Sequence, residues 1–208
     1  ASGRPGPVVV GLPEDVLVRR TEVTFGARSR APHPAPTADE MVEVMGRLAR
    51  AQRPAFVVGG DGWQDGSGSQ LAEFAAAAGI PVFSDWRAYD AIPHRSPAWA
   101  GWLGYGRADA VAAGFDEADL LVFVGCARSD VLSDGYTRGL EAETALVLAD
   151  PDAATHAGRI DQHIISVPSA FAAALAAVDP ATARGTRGGH WPAARAEAHA
   201  PFAAHRAH

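Results

Sequence analysis

The spacing of apolar residues between positions 37 and 179 predicts alternating helices and strands. Met41, Val44, Met45 and Leu48 are apolar residues at helical spacing, and Thr37 and Glu40 before them have the spacing of a capping box. Residues 37–51 are therefore predicted to form an amphipathic helix. Continuous apolar runs separated by helical patterns follow, as is typical of a parallel sheet covered on both faces. We therefore expect an α/β fold, a Rossmann-like doubly wound and mostly parallel sheet of about six strands with helices on both faces.

After that first helix, strands and helices follow in an order typical of βαβ units. Their expected bounds are strand 55–59, helix 69–79, strand 80–84, a long loop to Gly106, helix 107–114, strands 119–125, 145–150 and 163–167, and helix 169–178. Ligands of such sheets bind beyond the carboxyl ends of the strands, so the residues that follow each strand are the first candidates for function.

The two flanks of this pattern look incomplete. Residues 8–12 predict one apolar strand that has no neighbouring element to pair with, and a proline-rich stretch leads on to Pro36. Residues 181–191 predict a linker, and residues 191–208 favour a helix that Pro201 interrupts. We expect three parts: the end of a preceding domain with its linker in 1–36, the α/β domain in 37–179, and a linker with the start of a following domain in 180–208.

Composition excludes several classes of function. All 18 basic residues are arginine and lie scattered in a chain of net charge -6, which argues against nucleic acid as a partner. The absence of lysine excludes a Walker-type phosphate lysine and Schiff-base chemistry from this chain. The single cysteine, Cys126, excludes an internal disulfide and a cysteine-built zinc site. We expect a cytoplasmic protein without a membrane partner.

The glycine-rich turn after the first strand supports two interpretations. Gly59, Gly60, Asp61 and Gly62 offer bare backbone amides to a phosphate, as in a nucleotide-binding turn. The triplet Gly-Asp-Gly is also the start of the magnesium and diphosphate site of thiamine diphosphate enzymes, where the aspartate and a downstream asparagine ligate the metal. This chain contains no asparagine, and one aspartate does not satisfy the octahedral preference of magnesium. We therefore predict a Rossmann-type turn and no metal site, although a merely flexible turn stays open because the glycine spacing departs from the strict dinucleotide fingerprint.

Two further strand ends carry candidate binding residues. Gly125 and Arg128 follow the strand 119–125, and an arginine there can pair with a phosphate. Asp150 ends the strand 145–150, where a carboxylate accepts hydrogen bonds from ribose hydroxyls or caps a helix beginning at Pro151. We predict that Cys126 is a buried filler, and no catalytic residue is assigned.

Taken in order, these segments resemble one family. The stretch "GRPGPVVVGLPEDVL" resembles the end of the pyrimidine-binding domain of thiamine diphosphate enzymes related to acetolactate synthase. The stretches "RPAFVVGGDG", "LAEFAAAAGIPVFSDWRAYDAIPHRSPAWAGWLGYG", "ADLLVFVGCARSDVLSDGYT" and "LVLADPD" resemble the successive signatures of the central domain of that family.

The resemblance implies that this chain is an excised central domain. Its parent would be a transferase or lyase that uses thiamine diphosphate and magnesium on the carbon–carbon bonds of 2-oxo acids, as a homo-oligomer. The pyrimidine- and diphosphate-binding domains of the same chain would supply the cofactor site, so this fragment alone is expected to be inactive. The central domains of relatives bind FAD, ADP or nothing.

The resemblance also transfers a nucleotide site, residue by residue. Its members here are Gly59, Gly60, Gly62, Asp85, Trp86, Leu103, Gly104, Tyr105, Gly125, Arg128 and Asp150. Two positions depart from the flavin-binding relatives, because Ala127 stands where they often have arginine and Gly106 stands where a histidine is common. The alternatives are a stand-alone nucleotide-binding module, an NAD-dependent sirtuin-like enzyme of similar fold, and a scaffold with an empty cleft.

Overall fold

A computed structural model describes residues 6–28, 32–64, 66–152 and 156–184 of the chain. The chain divides into two compact units, residues 1–32 and 33–208. In the first unit the described residues contain one short helix, α1 (Glu14–Leu17), directly after Pro13. The strand predicted at residues 8–12 is wrong, because no strand pairs with this segment and its side chains are exposed, Val9 at 93%. An apolar run forms a strand only where a neighbouring strand completes its hydrogen bonds.

The second unit contains a sheet of six parallel strands. In chain order they are β1 (Pro54–Val58), β2 (Val82–Asp85), β3 (Trp99–Leu103), β4 (Leu120–Val124), β5 (Glu143–Val147) and β6 (Gln162–Ile164). They lie in the order β3-β2-β1-β4-β5-β6, and every neighbouring pair is parallel. This order confirms the predicted Rossmann-like fold and places the topological switch point between β1 and β4.

Helices cover the sheet on both faces. Among its described residues, the helices of this unit are α2 (Ala38–Arg50), α3 (Ser67–Ala78), α4 (Asp109–Asp116), α5 (Pro168–Ala176) and α6 (Ala181–Arg184). Helices α2, α3, α5 and α6 share one apolar core with one face of the sheet, whereas α4 and residues around Leu132 share the other. Helix α2 begins with the predicted capping box, in which Thr37 and Glu40 bond reciprocally.

Two sequence predictions in this unit need correction. The long loop predicted up to Gly106 contains strand β3, whose hydrogen bonds to β2 shift register between Val82 and Ser84. Residues 181–184 form helix α6 rather than the start of a linker, because Arg184 donates to the Ala77 carbonyl and Ala183 is buried. The helix predicted within residues 191–208 lies outside the described residues. Among the residues that are described, no helix has the length and apolarity needed to cross a bilayer.

Candidate nucleotide site at the carboxyl edge of the sheet

The predicted site residues collect at one edge of the sheet. Gly59 and Gly125 directly follow β1 and β4, and Asp85 and Leu103 are the last residues of β2 and β3. Asp150 lies three residues beyond the end of β5. Because all six strands are parallel, their carboxyl ends share this edge, which is where doubly wound sheets bind ligands.

The glycines of the switch point pack against one another. A side chain on Gly60 would overlap the carbonyl oxygen of Gly125, and one on Gly125 would overlap the carbonyl oxygen of Gly59 and lie 2.7 Å from Cγ of Pro168. A side chain on Gly59 would lie 2.8 Å from the Cβ atoms of both Asp85 and Cys126. These turns therefore need glycine because neighbouring parts of the chain approach closely.

The Gly-Asp-Gly triplet forms a turn that leads away from β1 towards α3. Gly60 and Gly62 have φ of +65° and +94°, conformations that glycine adopts readily. The side chain of Asp61 between them is exposed, and within the described part of the chain no three histidine, cysteine or acidic side chains cluster as a metal site would require.

The end of β2 carries a buried carboxylate and an exposed cation. The side chain of Asp85 is 5% exposed, and its Oδ1 accepts a hydrogen bond of 3.0 Å from the backbone N–H of Arg87. Nη2 of Arg87 lies 3.5 Å from Oδ2 of Asp85 and 3.5 Å from Oγ of Ser129, and this side chain is 58% exposed. The sequence prediction missed Arg87, although its position two residues after a strand end was a usable signal.

Trp86 and Tyr105 join the ends of β2 and β3. The backbone N–H of Trp86 donates to the carbonyl of Leu103 at 3.0 Å, and the two aromatic rings meet edge to face at 5.1 Å. Gly104 makes this contact feasible, because a side chain there would lie 2.8 Å from Cγ of Trp86. Tyr105 is 69% exposed and so presents its ring at the edge of the sheet.

A cleft of about 270 Å³ opens beside Tyr105. Its lining consists of Gly104, Tyr105, Asp130, Val131, Asp134 and Gly135. Asp134 and Gly135 of this lining, and Tyr136 after them, all have left-handed backbones, including the non-glycine residues Asp134 (φ 48°) and Tyr136 (φ 64°). Such strain persists only where surrounding contacts enforce it. Here the carboxylate of Asp134 accepts hydrogen bonds from Arg107 and Arg138. Partial burial raises the pKa of Asp134, but these two arginines outweigh it and hold the pKa below its usual value.

Arg128 extends into the core rather than along the edge. Its side chain is 1% exposed, its guanidinium donates to the Arg138 carbonyl at 3.3 Å and to Oγ1 of Thr144 at 3.4 Å, and it lies 5.6 Å from the centre of the Phe123 ring. Burial lowers the pKa of this guanidinium. Phosphate pairing by Arg128, as predicted, therefore requires the side chain to leave this position.

The backbone of Arg128 binds the loop after β5. Its N–H donates to Nδ1 of His156 at 3.0 Å, and its carbonyl accepts from the N–H of Ala157 at 3.2 Å. Asp150, earlier in this loop, is partly buried and accepts from the N–H of Asp152 at 3.0 Å. No helix follows at residues 151–152 or 156–161, so the ribose role is the interpretation of Asp150 that stays open.

Cys126 is a buried residue, as predicted. It is 8% exposed, and its thiol lies 3.6 Å from the carbonyl oxygen of Val57. Burial, followed by the charge of Asp85, raises the pKa of this thiol. A thiol that stays protonated is a poor nucleophile, so Cys126 serves packing here.

The other aromatic residues of the 84–106 segment pack against one another. His94 stacks on Trp99 at 4.3 Å between ring centres, and Tyr89 lies 5.1 Å from Trp102. Trp99 is fully buried. A second and larger cleft, of about 690 Å³, lies between residues 90–95 of this segment and Trp63 with the first turn of α3.

Comparisons of this chain with known proteins agree on one family. The family model described as thiamine pyrophosphate enzyme, central domain, matches residues 41–178. Acetolactate synthase of Mycobacterium bovis is 31% identical over 158 residues, which cover 74% of this chain and 25% of that protein. The large subunit of acetolactate synthase isozyme 2 of Escherichia coli K12 is 30% identical over 164 residues, covering 74% of this chain and 28% of that protein.

A solved structure shows the same fold. Benzoylformate decarboxylase from Polynucleobacter necessarius superposes with a TM-score of 0.60 at 17% identity, over 78% of this chain and 31% of that one.

The chain spans about a quarter of the length of the two acetolactate synthases above. From the family match over residues 41–178, this chain belongs to the thiamine pyrophosphate enzyme family and contains its central domain.

Proposed function

We propose that this chain is the central part of a longer enzyme related to acetolactate synthase, which acts on the carbon–carbon bonds of 2-oxo acids as a transferase or lyase. The observation that carries this proposal is the family match over residues 41–178 combined with coverage of only 25% of the M. bovis acetolactate synthase. In this proposal residues 1–36 end a pyrimidine-binding domain, residues 37–179 form the central domain, and residues 180–208 lead into a diphosphate-binding domain. The longer enzyme is a cytoplasmic homo-oligomer.

The exposed apolar side chains of the first unit support the proposed preceding domain. Val8, Val9 and Val10 are 82%, 93% and 72% exposed, and Phe25 is 91% exposed. Soluble proteins seldom leave so many neighbouring apolar side chains in water, and such surfaces usually bind a partner. We propose that the missing part of the same longer chain is that partner.

The chain by itself is proposed to lack the chemistry of its parent. Thiamine diphosphate supplies the carbanion chemistry when it is bound in the longer enzyme. The residues of this chain do not fit its magnesium site, because Asp61 is exposed, no acidic cluster accompanies it among the described residues, and the sequence holds no asparagine. The role left to residues 37–179 is to hold the flanking domains and to bind a nucleotide.

We propose that the nucleotide is FAD or ADP, bound at the carboxyl edge near Tyr105. Tyr105 presents a ring on which a planar base can stack, and the adjacent cleft of about 270 Å³ has room for one ring system. Asp150 lies at the same edge and can accept hydrogen bonds from ribose hydroxyls. The sirtuin-like alternative needs a catalytic histidine beside the nucleotide, and the lining of this cleft includes no histidine.

Absorbance and thermal unfolding of the 208-residue chain test the nucleotide proposal. We expect either flavin bands in the purified protein or a melting temperature that rises with ADP. Tyr105→Ala should reduce this shift, whereas Tyr136→Ala, at a tyrosine that is 49% exposed and does not line the cleft, should preserve it. A protein without flavin bands that responds to neither FAD nor ADP would instead be a scaffold.

A further inference from the structure

The crevice between β1 and β4 is closed by the chain itself. The backbones of Gly60 and Gly125 touch, and Pro168 at the start of α5 lies so close that a side chain on Gly125 would be 2.7 Å from its Cγ. The N–H groups of Gly59 and Gly125 are also engaged, since they donate to the carbonyls of Val124 at 3.0 Å and Val147 at 2.9 Å. At the usual phosphate position of a doubly wound sheet, the two glycine turns are therefore in close contact and these two donors are already engaged.

The arginines near the cleft differ in their availability. Arg128 is 1% exposed and faces the core. The side chain of Arg107 is 14% exposed and lies between Asp109 and Asp134. Arg87 is 58% exposed, and within the described residues its guanidinium makes hydrogen bonds only through Nη2, each at the long distance of 3.5 Å. Its remaining N–H groups are free to bind an anion, and a guanidinium binds phosphate oxygens in pairs.

We propose that Arg87, and not the glycine turn, binds the diphosphate of the nucleotide, a proposal that rests on the nucleotide function above. Trp86 connects the two binding groups, because the guanidinium of Arg87 lies 5.6 Å from its ring centre and Tyr105 meets the same indole at 5.1 Å. In this proposal the base stacks on Tyr105 and the diphosphate binds Arg87, two residues that contact the same indole. Oδ2 of the buried Asp85 carboxylate lies 3.5 Å from Nη2 of Arg87 and so helps to orient the guanidinium.

Calorimetric titration with ADP and with adenosine tests this inference, because the two ligands differ only in the diphosphate. We expect the unaltered chain to bind ADP about tenfold or more tightly than adenosine, as charge-assisted hydrogen bonds imply. Arg87→Ala should abolish that difference and leave adenosine binding unchanged. Arg95→Ala removes an exposed arginine at the larger cleft and should leave both affinities unaltered.

The outcomes separate this inference from the proposal beneath it. If the unaltered chain binds ADP and Arg87→Ala binds it equally well, the role of Arg87 is overturned and nucleotide binding stands. A loss of ADP affinity in Arg95→Ala alone would also overturn it and would move the diphosphate to the larger cleft. If the unaltered chain binds neither ADP nor FAD, the nucleotide proposal and the role of Arg87 both fail. Because Arg87 is exposed, Arg87→Ala should leave the unfolding midpoint unchanged, and this measurement shows that the variant is folded.

Discussion

Gly60 and Gly125 touch backbone to backbone across the switch point of the sheet. Gly60 is the second residue after β1 and Gly125 is the first after β4, and their φ angles are +65° and +77°. A side chain on Gly60 would overlap the carbonyl oxygen of Gly125. The contact joins the two central turns of the carboxyl edge. A glycine-rich turn in this position thus serves the packing of the domain.

Replacing Gly125 with alanine should destabilise the domain strongly. The added methyl group meets the carbonyl oxygen of Gly59 and Pro168, and the left-handed backbone adds its own strain. We expect a loss of about 3 kcal/mol or more in the free energy of unfolding, measured by urea denaturation.

Gly106→Ala is the matched control for this steric effect. Gly106 has a similar φ of +72°, but a side chain there meets no atom within 4 Å. Only the backbone strain remains, so we expect a loss of about 1 kcal/mol. Equal losses in the two variants would show that close packing at Gly125 contributes nothing.

Substitutions of Arg128 can distinguish a structural role of this side chain from a role in ligand binding. No carboxylate contacts its guanidinium among the described residues, and replacing a buried charge with an apolar side chain of similar size is often tolerated. We expect the free energy of unfolding of Arg128→Met to lie within about 1 kcal/mol of that of the unaltered chain. Arg128→Ala should lose about 2–4 kcal/mol of this free energy because it leaves a cavity. Urea denaturation measures both.

The affinity of Arg128→Met for ADP checks the other interpretation of this residue. Because the guanidinium lies in the core, we expect ADP affinity to be unchanged. A loss of about tenfold would instead support the phosphate pairing that the sequence predicts, and would mean that Arg128 moves to the edge when ligand binds.

The stability of the domain should fall as the pH drops from 6.5 towards 4 because of His156. Burial, followed by the charges of Arg128 and His163, lowers the pKa of His156 from its ordinary 6.5 to about 4. Above pH 6.5 the imidazole is neutral in both the folded and unfolded chain, so the full stability is present. Below pH 6.5 the imidazole of His156 becomes protonated in the unfolded chain but stays neutral in the folded one. The free energy of unfolding therefore falls by up to about 1.4 kcal/mol per pH unit until the pH reaches the folded-state pKa.

Urea denaturation between pH 7 and 5 measures this effect. His156→Asn keeps an acceptor for the N–H of Arg128 but cannot titrate, so its stability should decline less steeply with falling pH than that of the unaltered chain. His33→Asn changes an exposed histidine and should follow the unaltered chain. Parallel pH profiles for His156→Asn and the unaltered chain would contradict the assignment.

Much of the fold was predictable because its elements carry strong local patterns. The fully buried strands β1 and β4 are continuous apolar runs, and the Thr37–Glu40 capping box marks the start of α2. Strand β3 was missed because Gly101 at its centre has φ of +106° and its pairing with β2 is irregular, so its conformation depends on its neighbour. Residues 8–12 show the converse, an apolar pattern without a partner strand.

The candidate site was predictable in place but not in detail. Parallel strands bring Gly59, Asp85, Leu103 and Gly125 to one edge of the sheet, and this placement does not depend on the direction of their side chains. The sequence does not reveal whether a glycine makes room for a ligand or for another turn, since both need a bare backbone. Nor does it reveal that Arg128 turns into the core, because that direction depends on three-dimensional contacts with Thr144, 16 residues away, and with Phe123 of β4.

Titration calorimetry of thiamine diphosphate with Mg²⁺ against the 208-residue chain tests whether this chain is a central domain without a cofactor metal site of its own. We predict no saturable binding of thiamine diphosphate, either with or without the metal. Binding of one thiamine diphosphate per chain that requires Mg²⁺ and is lost in Asp61→Ala would contradict it.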